Sequence, residues 1–377
     1  MQKKILFIVT EDWYFISHRL KLARYLIKKG FKVFVCCKDT GKVKDIEKKG
    51  MIHLNLSIDR KSLSFIQFLN ESLCIIKIVR NLRPEIVHLI SIRPIITGIL
   101  STLFVKSNFC ATFTGMGFLF IKKSFKIKIL RNVIINYLKI FLMFRNLSFI
   151  VQNKDDEAFF KSKFKYKNLF LKVIKGSGVD ITHYKYSPEI IKKDVRIAYA
   201  GRILKDKGIL SLIEAFKLAK KKYANLSLHI AGPLDEKNPS SISKTYFEKL
   251  IDFEGIIYLG NIKNIRKFWQ QANIAVLMSK REGLPLSLLE AAAIGRAIIS
   301  TDVTGSREIA IDKYNAINVK VGNVIECSKA ILKLTKNKLL RKKYGKNSRK
   351  LVEGDMALEH ICYQYYKLYN EMINLEQ

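Results

Sequence analysis

Acid is scarce in this chain: 32 Asp and Glu stand against 68 Lys and Arg in 377 residues, a formal net charge of +36. Residues 101–150 carry eight basic side chains and no acidic one. An excess of this size draws a chain towards anionic surfaces, with compositional drift in a Lys- and Ile-rich sequence as the plain alternative. A membrane surface is the expected partner ahead of nucleic acid, for which no recognised module can be read here. Cysteine is equally uninformative for chemistry. The six thiols (36, 37, 74, 110, 327 and 362) have neither disulfide-framework density nor metal-ligand spacing, which points to reduced, buried cysteines in a cytoplasmic protein. No apolar run makes a clean membrane span, since residues 86–105 include His88, Arg93 and Pro94. The apolar run in the opening MQKKILFIVTEDW is too short for a signal peptide. The first strand-to-helix turn, Thr10–Ser17, lacks G-x-G-x-x-G, which argues against a dinucleotide-dependent oxidoreductase. An Asp-x-Asp pair that could hold a divalent cation on a diphosphate is missing as well.

What is present is an alternation of short apolar runs and helical segments. In the first half, strands are predicted at Ile5–Val9, Lys32–Cys37, Ile52–Leu56, Ile86–Ile90, Asn108–Thr112, Phe149–Gln152 and Leu171–Ile174. Helices are predicted between them at His18–Lys29, Val43–Lys49, Leu63–Asn81 and Pro94–Val105. The pattern restarts near Val195 and runs to Val319, with helices at Gly208–Lys222, Ile265–Ala272, Pro285–Ile294, Ser306–Ala310 and Val324–Thr335. The fold class is therefore α/β, with two doubly wound, Rossmann-like parallel sheets. One stretch stands apart. In 118–149, cations at 122, 123, 126, 128, 131, 139 and 145 interleave with large apolar residues, the makeup of a helix lying in a lipid interface.

Chemistry gathers in the second half, above all in Ser279–Glu308. Glu282 precedes a helix start in which Gly283 and Leu284 form the turn and Pro285 occupies the first helical position. The amides of that first turn suit an anion. Glu290 lies eight residues after Glu282, inside the apolar run LSLLEAAAI, where an unpaired carboxylate would be costly. Arg202 and Lys207 flank a turn after the strand Val195–Ala200, where an open α/β sheet places ligands and where cations can stabilise a leaving diphosphate. In the first half, His18 sits at a loop-helix junction, where it can contact acceptor phosphate or sugar or can simply pack. Gly115 and Gly117 make a flexible loop after the strand Asn108–Thr112. His88, in IVHLI, reads as a satisfied core histidine.

The Glu-(x)7-Glu spacing resembles the motif of family 4 retaining glycosyltransferases. Gly201-Arg202-Ile203-Leu204-Lys205-Asp206-Lys207-Gly208 is similar to that family's basic diphosphate-binding turn. Gly176–Asp180 resembles its hinge, and Thr301–Gly305 the loop after its donor-site strand. Asp12-Trp13-Tyr14-Phe15-Ile16-Ser17-His18-Arg19 resembles a subgroup that builds bacterial surface polysaccharides and lipid-linked oligosaccharides. The resemblance implies the GT-B fold, two Rossmann-like domains facing a cleft. Residues 1–178 would bind the acceptor and 179–354 the donor, with a C-terminal helix in 355–377 crossing back.

It further implies that Glu290 bonds the ribose hydroxyls of a nucleotide and Glu282 the donor sugar. Gly201 and the Gly283-Leu284-Pro285-Leu286 backbone would hold phosphate and sugar. Arg202, Lys207 and Glu282 are the catalytic candidates, with no metal and no cofactor beyond the nucleotide sugar. Many family members place a His near the Gly115 loop; this sequence has Thr112 and Thr114 there. The expected reaction passes a hexose or N-acetylhexosamine from a UDP-sugar to a polyprenyl-diphosphate-linked glycan, with retention. It would occur on the inner face of the cell membrane, held to anionic lipid through 118–149. The alternatives are a nucleotide-sugar 2-epimerase of the same fold and a non-catalytic basic membrane or nucleic-acid binding protein.

Overall fold

A computed structural model describes residues 2–56, 64–115, 125–165, 169–190, 193–236 and 238–374. The chain divides into two units: Met1–Ser177 with Ile361–Gln377, and Gly178–His360.

The first unit carries β1 (Lys4–Glu11), α1 (Asp12–His18), α2 (Leu20–Lys28), β2 (Lys32–Lys38), α3 (Val43–Glu47) and β3 (Ile52–Asn55). It continues with α4 (Phe65–Leu82), β4 (Ile86–Ile90), α5 (Ile92–Gly98), β5 (Asn108–Phe113) and α6 (Phe125–Phe144), then β6 (Leu147–Val151), α7 (Lys154–Lys163) and β7 (Leu169–Val173). The sheet order is β3-β2-β1-β4-β5-β6-β7, and every neighbouring pair is parallel. β4 and β6 are buried along their whole length. That follows from a sheet covered by helices on both faces, and it explains why these strands read as continuous apolar runs.

The second unit repeats the plan with β8 (Val195–Ala200), α8 (Ile209–Lys222), β9 (Leu226–Ala231), α9 (Lys244–Ile251), β10 (Ile256–Tyr258), α10 (Ile265–Gln271) and β11 (Ile274–Leu277). α11 (Leu286–Ile294), β12 (Ala297–Thr301), β13 (Ala316–Val319), α12 (Val324–Lys336) and α13 (Lys338–Val352) complete it, and α14 (Leu358–Asn374) starts in it. The order is β10-β9-β8-β11-β12-β13. Both units thus share the doubly wound order that reverses beside the first strand. From Ile361 onward α14 belongs to the first unit. There Tyr369 Oη lies 2.7 Å from His88 Nδ1, and the Arg19 guanidinium lies 5.3 Å from the centre of the Tyr365 ring.

Several expectations are corrected. Thr10–Ser17 is no open turn: β1 runs to Glu11 and α1 starts at Asp12. The cause is the Asp12 carboxylate, which accepts from the amides of Trp13, Thr40 and Lys42 and so fastens the helix start to the loop after β2. Burial would raise its pKa, but these bonds and that from the Thr40 hydroxyl outweigh it and hold the carboxyl below its ordinary value. The helix expected over Pro94–Val105 begins at Ile92, ends at Gly98 and tightens into a 3-10 turn. Of 118–149, residues 118–124 lie outside the described residues, the helix spans Phe125–Phe144, and 147–149 belong to β6. Among the cysteines, Cys74 is exposed and the other five are buried.

Candidate active site

The order of the second sheet reverses between β8 and β11, and side chains beyond the carboxyl ends of these two strands form the candidate site. After β8 come Gly201, Arg202 and a 3-10 turn, Lys205–Lys207, that enters α8 through Gly208. Gly208 adopts φ +71°, and a Cβ there would lie 1.9 Å from the Met278 carbonyl oxygen. Only glycine lets the turn press so closely on the end of β11. Lys280 ties the same two segments, its amide donating to the Asp206 carbonyl at 2.9 Å and its ammonium 3.1 Å from the Asp206 carboxylate.

This brings Lys207 to Glu282. The ammonium donates to both carboxylate oxygens, at 2.6 and 2.9 Å, and the Ser279 hydroxyl donates to one of them at 2.5 Å. The Glu282 side chain is only 9% exposed and that of Lys207 26%. Behind them, the Glu282 amide donates to the Thr304 carbonyl at 3.1 Å. Gly305, at φ +79°, leaves room for the Gly283 carbonyl, which a Cβ would approach to 2.3 Å. The loop after β12 therefore supports the Glu282–Gly283 backbone. Arg202 lies on the other flank, 2.8 Å from Asp235. The buried Tyr199 hydroxyl donates to the Arg202 carbonyl at 2.8 Å. Burial first, and then the negative charge of Glu282, push that hydroxyl's pKa up.

α11 begins one residue later than expected: Pro285 is the N-cap at φ −74°, ψ 111°, and no side chain caps the helix. Leu284 and Leu286 are half-buried and pack on the unit's core, so what they can offer a ligand is backbone. Glu290 lies in the second turn of α11. Its carboxylate accepts from the Tyr184 hydroxyl at 2.8 Å and from the Trp269 indole at 3.3 Å. The apolar run around Glu290 thus holds a partnered carboxylate. Tyr184, Trp269 and Asp235 were not singled out in the sequence; the signal for Trp269 was its rarity, one of two tryptophans in the chain.

Arg202, Lys207, Glu282 and Gly201 are brought together at the strand ends, and Glu290 stands further along α11. The acceptor-side candidates all belong to the first unit. His18 ends α1; its Nδ1 lies 2.6 Å from the Ser17 hydroxyl, and its ring stacks on Tyr14 at 4.4 Å. Gly115 follows β5 at φ +108°, and Gly117 lies outside the described residues. His88 is the satisfied core histidine expected, 2.6 Å from Thr112 Oγ1 as well as bonded to Tyr369. Among the described residues, no group of three or more His, Cys, Asp and Glu could hold a metal ion.

Two family profiles match the chain: Glycosyl transferases group 1 over residues 180–351 and Glycosyl transferase 4-like over residues 4–152. The capsular polysaccharide biosynthesis glycosyltransferase CapM of Staphylococcus aureus is 29% identical over 185 residues, 49% of this chain and 48% of that protein. The match therefore spans about half the length of that relative. A second relative is matched over nearly its whole length. It is the N,N'-diacetylbacillosaminyl-diphospho-undecaprenol alpha-1,3-N-acetylgalactosaminyltransferase of Campylobacter jejuni, 27% identical over 95% of this chain and 98% of the relative. Among solved structures, a glycosyltransferase from Rickettsia africae superposes with a TM-score of 0.78 at 20% identity, covering 99% of both chains. Anabaena HepE, in complex with UDP and glucose, gives 0.78 at 14% identity over 98% of this chain and all of that one. These two likenesses are of fold alone.

Proposed function

Because the chain belongs to the family 4 glycosyltransferases of GT-B fold, we propose that it moves a hexose or N-acetylhexosamine, with retention, from a UDP-sugar to a polyprenyl-diphosphate-linked glycan. The observation that supports this best is the Lys207–Glu282–Ser279 cluster, with Arg202 beside it, at the switch point of the second sheet. Donor and acceptor classes follow the Campylobacter relative, which by name acts on a diphospho-undecaprenol substrate, and the UDP held by Anabaena HepE.

In this reading the diphosphate lies against Arg202, Lys207 and the first turn of α11, where cations and backbone amides favour negative charge. Lys207 exchanges part of its bond to Glu282 for a phosphate oxygen, and the Glu282 carboxylate then accepts from sugar hydroxyls. Glu290 accepts from the ribose hydroxyls. The bond from the anomeric carbon to the diphosphate oxygen breaks, and the acceptor oxygen bonds to the same face of that carbon. The acceptor proton passes to the departing diphosphate. Charge grows on the diphosphate as its bond breaks, so Arg202 and Lys207 stabilise the transition state more than the bound donor. No metal is required in this scheme. The first unit takes the acceptor, with His18 and Gly115 as candidate contacts. α6 holds that unit to the anionic inner face of the cell membrane: Phe125, Ile129, Val133, Ile140 and Phe144 are exposed along it, and it carries no acid. No helix among the described residues is long and apolar enough to cross a membrane.

The test is transfer from a panel of nucleotide sugars to a synthetic polyprenyl-diphosphate glycan. Formation of a new glycoside with release of UDP supports the proposal. Conversion of UDP-N-acetylglucosamine into its 2-epimer, with no acceptor needed, would replace it with the epimerase reading.

A further inference from the structure

α4 carries apolar residues on two sides along its length, where a surface helix ordinarily has one apolar face. Its inward side buries Ile75 and Val79. Its outward side carries Phe65, Ile66, Leu69 and Leu73, which are 70, 71, 40 and 62% exposed. Steps of four residues place Phe65, Leu69 and Leu73 on one stripe, and the exposed Lys77 continues it. α6 shows the same makeup, with its exposed apolar residues beside the exposed Lys128. The two helices meet within the first unit. The Phe68 ring stacks on Phe65 at 6.2 Å and meets the Tyr137 ring of α6 edge-on at 6.5 Å. Tyr137 lies one turn from both Val133 and Ile140, so the two outward stripes border a single apolar patch. Neither stripe presents an exposed carboxylate. α6 has no acid, and the one acid of α4, Glu71, is 3% exposed and paired with Arg93 at 2.9 Å.

From this geometry we propose that α4 and α6 together form one docking face for an anionic lipid bilayer, Phe65, Ile66, Leu69 and Leu73 inserting among the acyl chains beside the residues of α6. The proposal rests on the membrane reading above and adds a second helix to it. Charge complementarity selects the occupant. Large exposed apolar patches mark interaction surfaces. Among the described residues of α4 and α6, Lys77, Arg80 and Lys128 are exposed and no acid is, which suits acidic headgroups, whereas a second copy of the chain would set like charges against each other.

The experiment is flotation of the full chain with phosphatidylglycerol–phosphatidylcholine vesicles at low salt, alongside light scattering. Three variants are compared with wild type: Leu69→Ser with Leu73→Ser, Phe65→Ser with Ile66→Ser, and Lys128→Glu with Lys139→Glu. All are read with thermal melting as the check on folding, and the Phe65/Ile66 pair serves if the Leu pair melts early. Each α4 pair is expected to weaken vesicle binding about 10-fold or more, since a buried Leu or Phe contributes enough for that on its own. The α6 charge variant should weaken it as well. If the α4 pairs float like wild type while the charge variant does not, α4 is outside the docking face and the membrane reading survives alone. If wild type fails to float, both readings fall. A dimer that the α4 pairs convert to monomer would overturn the proposal in favour of self-association.

Discussion

The two units share one strand order and use its reversal point in opposite ways. Beside β8 and β11 of the second unit, cations meet carboxylates: Arg202 with Asp235, Lys207 with Glu282, Lys280 with Asp206. These pairs are partly exposed, so a diphosphate can compete for the cations. Beside β1 and β4 of the first unit, Arg19 is 1% exposed and faces the Tyr365 ring, and His88 is fully buried between Thr112 and Tyr369. The same topological position holds partly exposed ion pairs in one unit and sealed packing against α14 in the other, and in the proposed reaction the exposed cations exchange partners with the diphosphate. Charge that can trade partners marks chemistry, and charge sealed under aromatic rings marks architecture.

The largest effect expected from this contrast is on turnover. Arg202→Ala and Lys207→Ala should each lower kcat by about 10²-fold or more while changing donor KM less, as for the loss of one transition-state stabiliser. Transfer should survive EDTA. If chelation abolishes activity and Mg²⁺ or Mn²⁺ restores it, the metal-free scheme is wrong.

Next in size is Glu290. Glu290→Ala should cost about 1–3 kcal/mol of stability, because the buried Tyr184 hydroxyl and the Trp269 indole lose their acceptor. Glu290→Gln keeps an acceptor oxygen, so it should melt close to wild type while binding UDP more weakly in calorimetry. Unchanged UDP affinity in the Gln variant would make Glu290 purely structural. In the first unit, Tyr369→Phe should cost about 1 kcal/mol of stability and leave donor affinity and kcat untouched. A change in donor affinity there would break the division of roles.

The smallest effect concerns pH. Burial, with Arg19 nearby, holds His88 well below its ordinary pKa, and burial with Arg196 lowers His229 to about 4. Both stay neutral in the folded chain while the unfolded chain takes up protons near pH 6.5. Their contribution is therefore present above about pH 6.5 and lost as pH falls towards 4. Melting temperature should decline across that window, and His229→Gln should flatten the decline without altering the reaction.

Much of this was legible in the chain because buried parallel strands must be apolar throughout. The runs that give β1, β2, β4 and β5 could be read directly, as could the cations after β8 and the two glutamates around the start of α11. Other parts were hidden for identifiable reasons. α13 turns Arg341, Tyr344 and Ser348 inward instead of an aliphatic stripe, and Arg341 is satisfied by Glu189 and by the carbonyls of Leu334 and Thr335. α1 depends on Asp12 reaching Thr40 and Lys42, about 30 positions away, which no local pattern encodes. The partners of Glu290 are equally remote, at Tyr184 and Trp269. The apolar outer face of α4 was visible as residues but not as exposure.

The most direct test is the anomeric configuration of the product. Wild-type enzyme would be incubated with UDP-sugars and a polyprenyl-diphosphate-linked acceptor, and the new linkage read by NMR beside the UDP released. An α-linked glycoside formed from an α-linked donor, one UDP per linkage, with Lys207→Ala slowing both together, is the expected result. An inverted linkage, or donors left untouched in the presence of that acceptor, would contradict the account.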